Sequence, residues 1–445
     1  MLRTSLVSVF ISLLALSGPA ATRLPLGLSS QRTVSGPGAV MTLPPLDVGR
    51  LMAEDAAAGP SVPYRIGSPR DVDLDLSAAS GRITLAGGER LWLLKLGTPG
   101  ALWQSFVFSS FELPMGVSLY IYAPGGGEVL GPYTSADNLS FRTLATPVLA
   151  GDEALIEVDF APGTSDVIPL RLRTAVAGYR RFAVTEKRAG SCEVDINCPD
   201  GADWQNDKRA VALIYFDGWE CTGTLLNNAR RDCANYFLTA HHCIDRASYA
   251  EDTVFYWNYE LTGCASGDVV DQTQSGATLR ATYETSDFSL MELAAPPRAP
   301  AHVYYAGWSA SADPAHGAVG IHHPDGDVKK ISIENNPLVS DGADFWRVPN
   351  WDVGVTEPGS SGSGLWNMDH QVIGQLLGGA SACGNPKSQM WDDYGKLVAS
   401  WTGGGSAEER LQDWLDPDHT GAVTLNGQDA SFCMASPHIR PVERP

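Results

Sequence analysis

The sequence predicts a mostly β protein in two parts, on three observations. Short apolar runs recur along most of the chain, separated by turns built from glycine and proline. A helix-like pattern stands out only near the carboxyl end. All eight cysteines lie at or beyond Cys192, so the two halves differ in how they can be braced.

Composition narrows the class. A chain of 445 residues exceeds one ordinary domain, and 44% hydrophobic content is ample for packed cores. Acids outnumber bases 51 to 31, a formal charge of −20, which argues against a nucleic-acid partner; no basic patch interleaved with aromatics occurs. Met1 to Ala21 has the design of a secretory leader: Arg3, a short apolar core from Leu6 to Leu16, then small residues at Gly18 to Ala21. The apolar run is too short to span a bilayer and no other stretch approaches one, so a secreted protein with no membrane segment is expected. In an exported chain the cysteines read as disulfides, with spacing leaving their connectivity open.

Taken in order, residues 22 to about 60 are rich in Pro, Gly, Ser and Ala without periodicity, and a mobile lead-in is expected. From about 80 to 175 the strand-like runs are Leu91–Leu96, Ser105–Phe108, Ser118–Tyr122, Ala154–Val158 and Ile168–Leu172. Ala123–Gly127 and Ala161–Thr164 turn between them, which suggests a small antiparallel sandwich. No catalytic constellation falls there, so a pro-region that assists folding or keeps the chain silent is preferred to a retained binding module. Composition changes at Thr185-Glu186-Lys187-Arg188-Ala189-Gly190, where a basic pair marks a processing site. The domains expected are a leader over 1–21, a pro-region over 22–187, a catalytic region over 188–430 and a tail over 431–445.

Beyond Cys192 the strand candidates are Ala210–Phe216, Thr253–Tyr259, Val303–Trp308, Val372–Leu377 and Leu397–Trp401. Such a series suits barrels or sandwiches. Ser406-Ala407-Glu408-Glu409 reads as a capping box opening a helix through Leu415, with Leu411, Trp414 and Leu415 on one face.

Three stretches carry chemistry. In Thr356-Glu357-Pro358-Gly359-Ser360-Ser361-Gly362-Ser363-Gly364, a tight turn can expose a hydroxyl and aim backbone N–H groups at one point, the two parts acyl transfer needs. Alone this is weak, because serine and glycine also fill linkers. Phe237-Leu238-Thr239-Ala240-His241-His242-Cys243 adds a base, and Ser286-Asp287-Phe288-Ser289-Leu290 adds an acid to orient it. A metal site is disfavoured: adjacent histidines diverge, no His-Glu-x-x-His occurs, and Asp416-Pro417-Asp418 lacks the glutamate of a calcium loop. No cofactor is expected.

The order His, Asp, Ser and the run Thr-Ala-His-His-Cys resemble chymotrypsin-like enzymes, and Gly354 to Ser363 resembles the serine motif of bacterial lysyl endopeptidases. The likeness extends over about 190 to 430, through Gly190-Ser191-Cys192, Cys221-Thr222-Gly223, Tyr256-Trp257-Asn258-Tyr259, Ile321-His322-His323-Pro324 and Trp401-Thr402-Gly403-Gly404-Gly405. It implies a chymotrypsin-like double β-barrel, preceded here by the β-sandwich-like pro-region. It also implies cleavage of protein or peptide substrates after lysine through an acyl-enzyme.

Carried over residue by residue, His242 is the base, Asp287 the orienting acid and Ser361 the nucleophile, with Ser360 and Ser363 as competitors. The N–H groups of Gly359 and Ser361 form the oxyanion hole. Asp392, in Asp392-Asp393-Tyr394-Gly395, enters the side-chain pocket, whose edge is Leu377 and Gly378; Leu377 stands where a family member has histidine. The resemblance implies the pairs Cys192–Cys383, Cys198–Cys264 and Cys221–Cys243, and leaves Cys233 and Cys433 for a fourth bridge. A trypsin-like enzyme cutting after both arginine and lysine, and an inactive binding relative, are the alternatives. The pro-region is expected to act as an intramolecular chaperone or inhibitor, and the protein to be a monomer.

Overall fold

The computed structural model describes residues 24–29, 39–59, 62–85, 87–182 and 189–435. The expected leader, the Lys187 junction and the last ten residues of the expected tail lie outside them.

Residues 39–178 form two facing sheets. One has six strands, in the order Ala39–Thr42, Arg90–Gly97, Glu153–Phe160, Val117–Tyr122 and Val129–Tyr133, with Gly81–Thr84 also on Arg90–Gly97. The other has five: Leu149–Ala150, Trp103–Ser109, Arg171–Gly178 and Gly67–Asp75, with Leu144–Ala145 on Trp103–Ser109. Pairing is antiparallel except where Ala39–Thr42 runs parallel to Arg90–Gly97. Phe106 and Phe108 project into the core between the sheets with Trp92, Ile121 and Leu172. Their neighbours Trp103 and Val107 face the other way, into a second cluster with Leu213, Tyr215, Val254 and Tyr256. A strand buried on both faces loses the alternation of apolar and polar residues, which is why Phe106–Phe108 is continuously apolar and even Gln104 and Ser105 are buried.

The carboxyl-terminal half is built on two further curled sheets, in keeping with the double β-barrel the sequence predicts. Its first curled sheet runs Gln272–Ser275, Val254–Trp257, Val211–Phe216, Trp219–Leu226, Tyr236–Ala240, Phe288–Leu293, Ala277–Tyr283. The second centres on Ala318–His322, Gly364–Trp366, Gln371–Gly379 and Asp392–Lys396. Val211–Phe216 repeats the two-faced logic: Ala212, Ile214 and Phe216 point into the barrel, Leu213 and Tyr215 toward the sandwich. Tyr215 hydroxyl meets Ser105 Oγ at 2.6 Å across that seam. Four disulfides brace this half, Cys192–Cys383, Cys198–Cys264, Cys221–Cys243 and Cys233–Cys433.

Three expectations differ from the structure. The lead-in is not featureless: Ala39–Thr42 is a strand, and Val48–Ala57 a ten-residue helix whose Asp47 side chain accepts from the Arg50 N–H at 3.0 Å. That cap, with Leu51 buried, holds a helix that aperiodic composition concealed. Leu397–Thr402 is helical rather than a strand; a short apolar run fits either until packing decides, and here Leu397 and Ser400 are both buried on one side. The last helix is broken. Ala407–Glu409 is a 3-10 turn without a side-chain cap, Arg410 is extended at φ −144°, and only Gln412–Leu415 is α-helical. The Leu411 N–H bonds Ser400 O at 2.9 Å instead of continuing a helical ladder.

Trp257 is 1% exposed, meets Phe237 edge-on at 5.8 Å and lies parallel to Phe255 at 6.3 Å. Trp257→Ala in a Ser361→Ala background is expected to lower unfolding free energy by about 3–5 kcal/mol. Denaturant unfolding checks this, and a loss under about 1 kcal/mol would remove this ring cluster from the core.

Candidate active site

The site lies where three loops meet between the barrels. The Tyr236–Ala240 strand delivers His241 and His242, which point apart. His241 Nδ1 meets Thr282 Oγ1 at 2.8 Å, while His242 turns to Asp287. Asp287 takes two bonds from His242, the backbone N–H at Oδ1 (3.0 Å) and ring Nδ1 at Oδ2 (2.9 Å). Its backbone is left-handed at φ 53°, a conformation non-glycine residues adopt only when surroundings impose it. Those surroundings are the His241 N–H on Asp287 O (2.9 Å) and the buried Gln375 amide, which donates to Ser286 O (2.8 Å) and Asp287 O (3.2 Å). A ring nitrogen that donates to a carboxylate fixes the tautomer, leaving the lone pair on Nε2. That Nε2 is buried and has no hydrogen-bond partner among the described residues.

The serine turn is held between the barrels by backbone. The Thr222 N–H bonds Ser361 O, and the Gly362 N–H bonds Leu376 O, both at 2.8 Å. Gly359 and Gly362 have φ of 92° and 79°, and a Cβ at Gly362 would stand 2.2 Å from Thr239 Oγ1. Both positions therefore require glycine. Neither the Gly359 nor the Ser361 N–H donates to an acceptor among the described residues.

The three serines differ in what surrounds them. Ser360 Oγ bonds His322 Nδ1 at 2.8 Å, and His322 Nε2 bonds Ser332 Oγ at 2.9 Å, all fully buried. Burial pushes His322 down to about 3, so this second Ser–His pair is a neutral brace. Ser363 is also fully buried. Ser361 keeps 8% exposure and lines a cavity of about 500 Å³.

Thr356, Gly378, Gly379 and Ser381 line the same cavity. Leu376 joins them and Leu377 does not, contrary to expectation: a register shift between Leu376 and Gly378 brings Gly378 to the wall and leaves Leu377 aside. Asp392 stands behind this wall. Its Oδ2 accepts from Trp351 Nε1 at 2.6 Å and Thr356 Oγ1 at 2.8 Å, and a Cβ on Gly379 would come within 2.4 Å of Oδ1. Complete burial pushes this carboxyl up to about 7, against the donors that oppose it. The sequence does not mark Trp351, Gly379, Ser381 and Gln375 as site residues; Thr356 lies in the serine stretch and Gln375 in the Val372–Leu377 strand candidate.

The opposite wall comes from the amino-terminal half, through Met52, Asp55, Val62, Pro63, Tyr64 and Arg65. Tyr64–Arg65 pairs antiparallel with Trp219–Glu220, on the strand that continues into Cys221 and Thr222. Arg65 is clamped by Asp55 Oδ1 (2.8 Å), Glu54 Oε2 (3.0 Å) and Leu51 O (3.0 Å).

Among the described residues, two groups bring metal-type ligands together, Cys221/His242/Cys243 and Glu193/Glu357/Cys383. Their sulfurs are tied up in disulfides, which leaves too few donors for a transition-metal site.

Residues 187–395 match the family model described as lysyl endopeptidase, C-terminal domain. The chain is 36% identical over 319 residues to the lysyl endopeptidase of Pseudomonas aeruginosa, covering 64% of this chain and 67% of that one. Among solved structures, the Rv3671c protease in its inactive form has 18% identity and a TM-score of 0.31, covering 47% of this chain and 93% of its own. A Glu endopeptidase in complex with MPD has 15% identity and a TM-score of 0.28, covering 42% and 85%. By its sequence relatives and by the barrels that carry these loops, the chain belongs to the lysyl endopeptidase family of serine endopeptidases.

Proposed function

We propose that this protein is a secreted endopeptidase that cuts polypeptides after lysine, with Ser361 as nucleophile, His242 as base and Asp287 as its orienting acid. The reading rests chiefly on the paired bonds from His242 to Asp287, which leave Nε2 as an open acceptor just beyond Thr239 and Ala240, the residues the serine turn approaches at Gly362. In the reaction His242 takes the Ser361 proton as Oγ attacks the carbonyl, and the oxyanion accepts the unengaged N–H groups of Gly359 and Ser361. Protonated His242 then gives its proton to the leaving amine, and water repeats the cycle on the acyl-enzyme.

Lysine preference is assigned to Asp392. An ammonium entering the slot neutralises a carboxyl that is costly to ionise alone. The division at Lys187 belongs to the same proposal, with residues 22–187 as a folding aid and inhibitor that acts from the opposite wall of the cavity. In the uncut chain Tyr64–Arg65 occupies the strand edge along which the part of a substrate beyond the scissile bond would lie.

Ser361→Ala is expected to lower kcat on lysyl peptides by on the order of 10⁶-fold. Ser360→Ala should stay within about tenfold, because its loss removes only the partner of a buried neutral histidine and a long bond from the Glu357 N–H. Steady-state kinetics on the two variants decide, and the reverse ranking would overturn the choice of nucleophile.

The pH dependence has a definite sign. Below about 7 the empty slot holds a neutral Asp392, and lysine binding must drive out its proton. KM for lysyl substrates should therefore fall as pH rises through about 7, while KM for a matched norleucyl substrate stays flat. Parallel profiles would detach Asp392 from substrate binding. Asp392→Asn should cost lysyl substrates on the order of 10²- to 10³-fold in kcat/KM.

An uncut Lys187→Gln/Arg188→Gln chain should cleave proteins and carboxyl-extended lysyl peptides at least about tenfold less efficiently than the processed enzyme. A short lysyl ester should lose much less. Equal suppression of both substrates would rule out a block confined to the Trp219–Glu220 edge.

A further inference from the structure

We infer that Trp351 and Thr356 set the choice of lysine over arginine, by holding one oxygen of Asp392 inward so that a single acceptor faces the slot. This rests on the reading that Asp392 receives the substrate side chain, and it adds two positioning residues to that reading.

The argument is a count of acceptors. A guanidinium is a rigid fork whose best carboxylate geometry uses both oxygens in parallel. An ammonium is a compact charge with three rotatable donors and needs only one carboxylate oxygen, its other protons going wherever an acceptor lies. Here Asp392 Oδ2 already accepts from the Trp351 indole at 2.6 Å and the Thr356 hydroxyl at 2.8 Å. Both donors are fixed. Trp351 is 1% exposed in a cluster with Trp346, Val348, Leu365 and Tyr394, and Thr356 is 3% exposed at the base of the serine turn. Oδ1 has no donor in good hydrogen-bond geometry among the described residues, although the Ser381 hydroxyl and N–H lie close enough to favour the ionised carboxyl. It stands directly behind Gly379, where a Cβ would come within 2.4 Å of it, and Gly379 lines the cavity. Ser381, also on the cavity wall, carries a buried Oγ that acts on this carboxyl without closing a hydrogen bond of good geometry.

A donor arriving through the slot thus meets Oδ1 and the Ser381 hydroxyl. Lysine can satisfy both. Arginine would place one arm of its fork against an oxygen already saturated, leaving an N–H unpaired where water is excluded. The discrimination expected from one unpaired buried donor is roughly tenfold to a hundredfold.

The test uses Thr356→Val, which keeps shape and removes the hydroxyl donor, Thr356→Ser, which restores it, and Trp351→Phe, which removes the indole N–H. For each processed variant, kcat/KM is measured on matched lysyl and arginyl peptides, with KM for the lysyl peptide followed against pH. We expect the Lys:Arg ratio to fall at least about tenfold in Thr356→Val and Trp351→Phe, mainly because arginine improves, and to recover in Thr356→Ser. The pH at which lysyl KM falls should also move upward in the first two, because the donors removed favour the ionised carboxylate. A variant that melts like the parent yet keeps the parent ratio would overturn the proposal. So would parallel losses on both substrates with an unmoved pH midpoint, the mark of a merely structural role. If Trp351→Phe fails to fold, the Thr356 pair decides alone. A lysine preference that survives Asp392→Asn would instead sink the underlying assignment of the slot.

Discussion

The architecture depends on a short ladder that fastens the serine turn to both barrels. Thr222, on a strand of the first, gives its N–H to Ser361 O, while Gly362 and Leu376 bond across to the second, Leu376 donating to Ser363 O at 2.9 Å. Only glycine allows the approach, since any side chain at Gly362 would collide with Thr239 and with the Thr222 carbonyl. Ser361, the unengaged N–H groups of Gly359 and Ser361, and the cavity wall at Leu376 are thereby fixed relative to one another by main chain. Main-chain bonds also tie in the histidine, because Asp287 accepts the His242 amide as well as its ring. The acid positions both the backbone and the imidazole, so ring rotation alone cannot break the pair.

Burial sorts groups of the same chemical type into different roles. Two histidines sit in unlike surroundings. His322, enclosed between Ser360 and Ser332, has lost its basicity and serves packing. His242 is held by a carboxylate, which supplies what an imidazolium needs. The same logic separates the adjacent acids. Asp393 is neutralised by Arg347 through bonds of 2.8 and 2.7 Å, whereas Asp392 has only neutral donors and stays poised for a cation from outside.

Much of this was legible in the chain because it is written in short-range chemistry. The turn around Ser361 needs glycines at fixed places, and His242 stands beside a cysteine that pins its loop; both leave marks in contiguous residues. Strands such as Val211–Phe216 announced themselves by apolar content. What escaped depends on distant partners. Trp351 and Gln375 look like any tryptophan or glutamine in a strand-rich sequence until folding brings one to Asp392 and the other to the Asp287 carbonyl. The Val48–Ala57 helix was hidden because its stability comes from tertiary contacts of Leu51 and Asp55 rather than from a regular apolar stripe. Leu397–Thr402 fell between periods, its side decided by Ser400 bonding Ser286 at 2.9 Å.

The seam between the sandwich and the first barrel has an electrostatic character of its own. It is largely apolar through Trp103, Val176, Leu213 and Tyr256, yet it also encloses Asp252 and Asp217, both pushed up to about 6 by burial. Arg173 from the sandwich pairs with Asp252; Asp71 and Arg246 act on Asp217, and Glu251 acts on Asp252. Each aspartate is raised from an ordinary value of 3.8, so its contribution to cohesion is complete below that value and is lost as pH rises through about 6. The apolar contacts do not change over that range. Through these two carboxyls acid favours the closed seam and neutral pH disfavours it, while the Arg173–Asp252 ion pair acts in the opposite sense. Asp392 ionises in the same direction, as pH rises through about 7. Two carboxyls at the seam and a single one behind the cavity wall thus respond to one variable, and neither place needs the other's residues to do so.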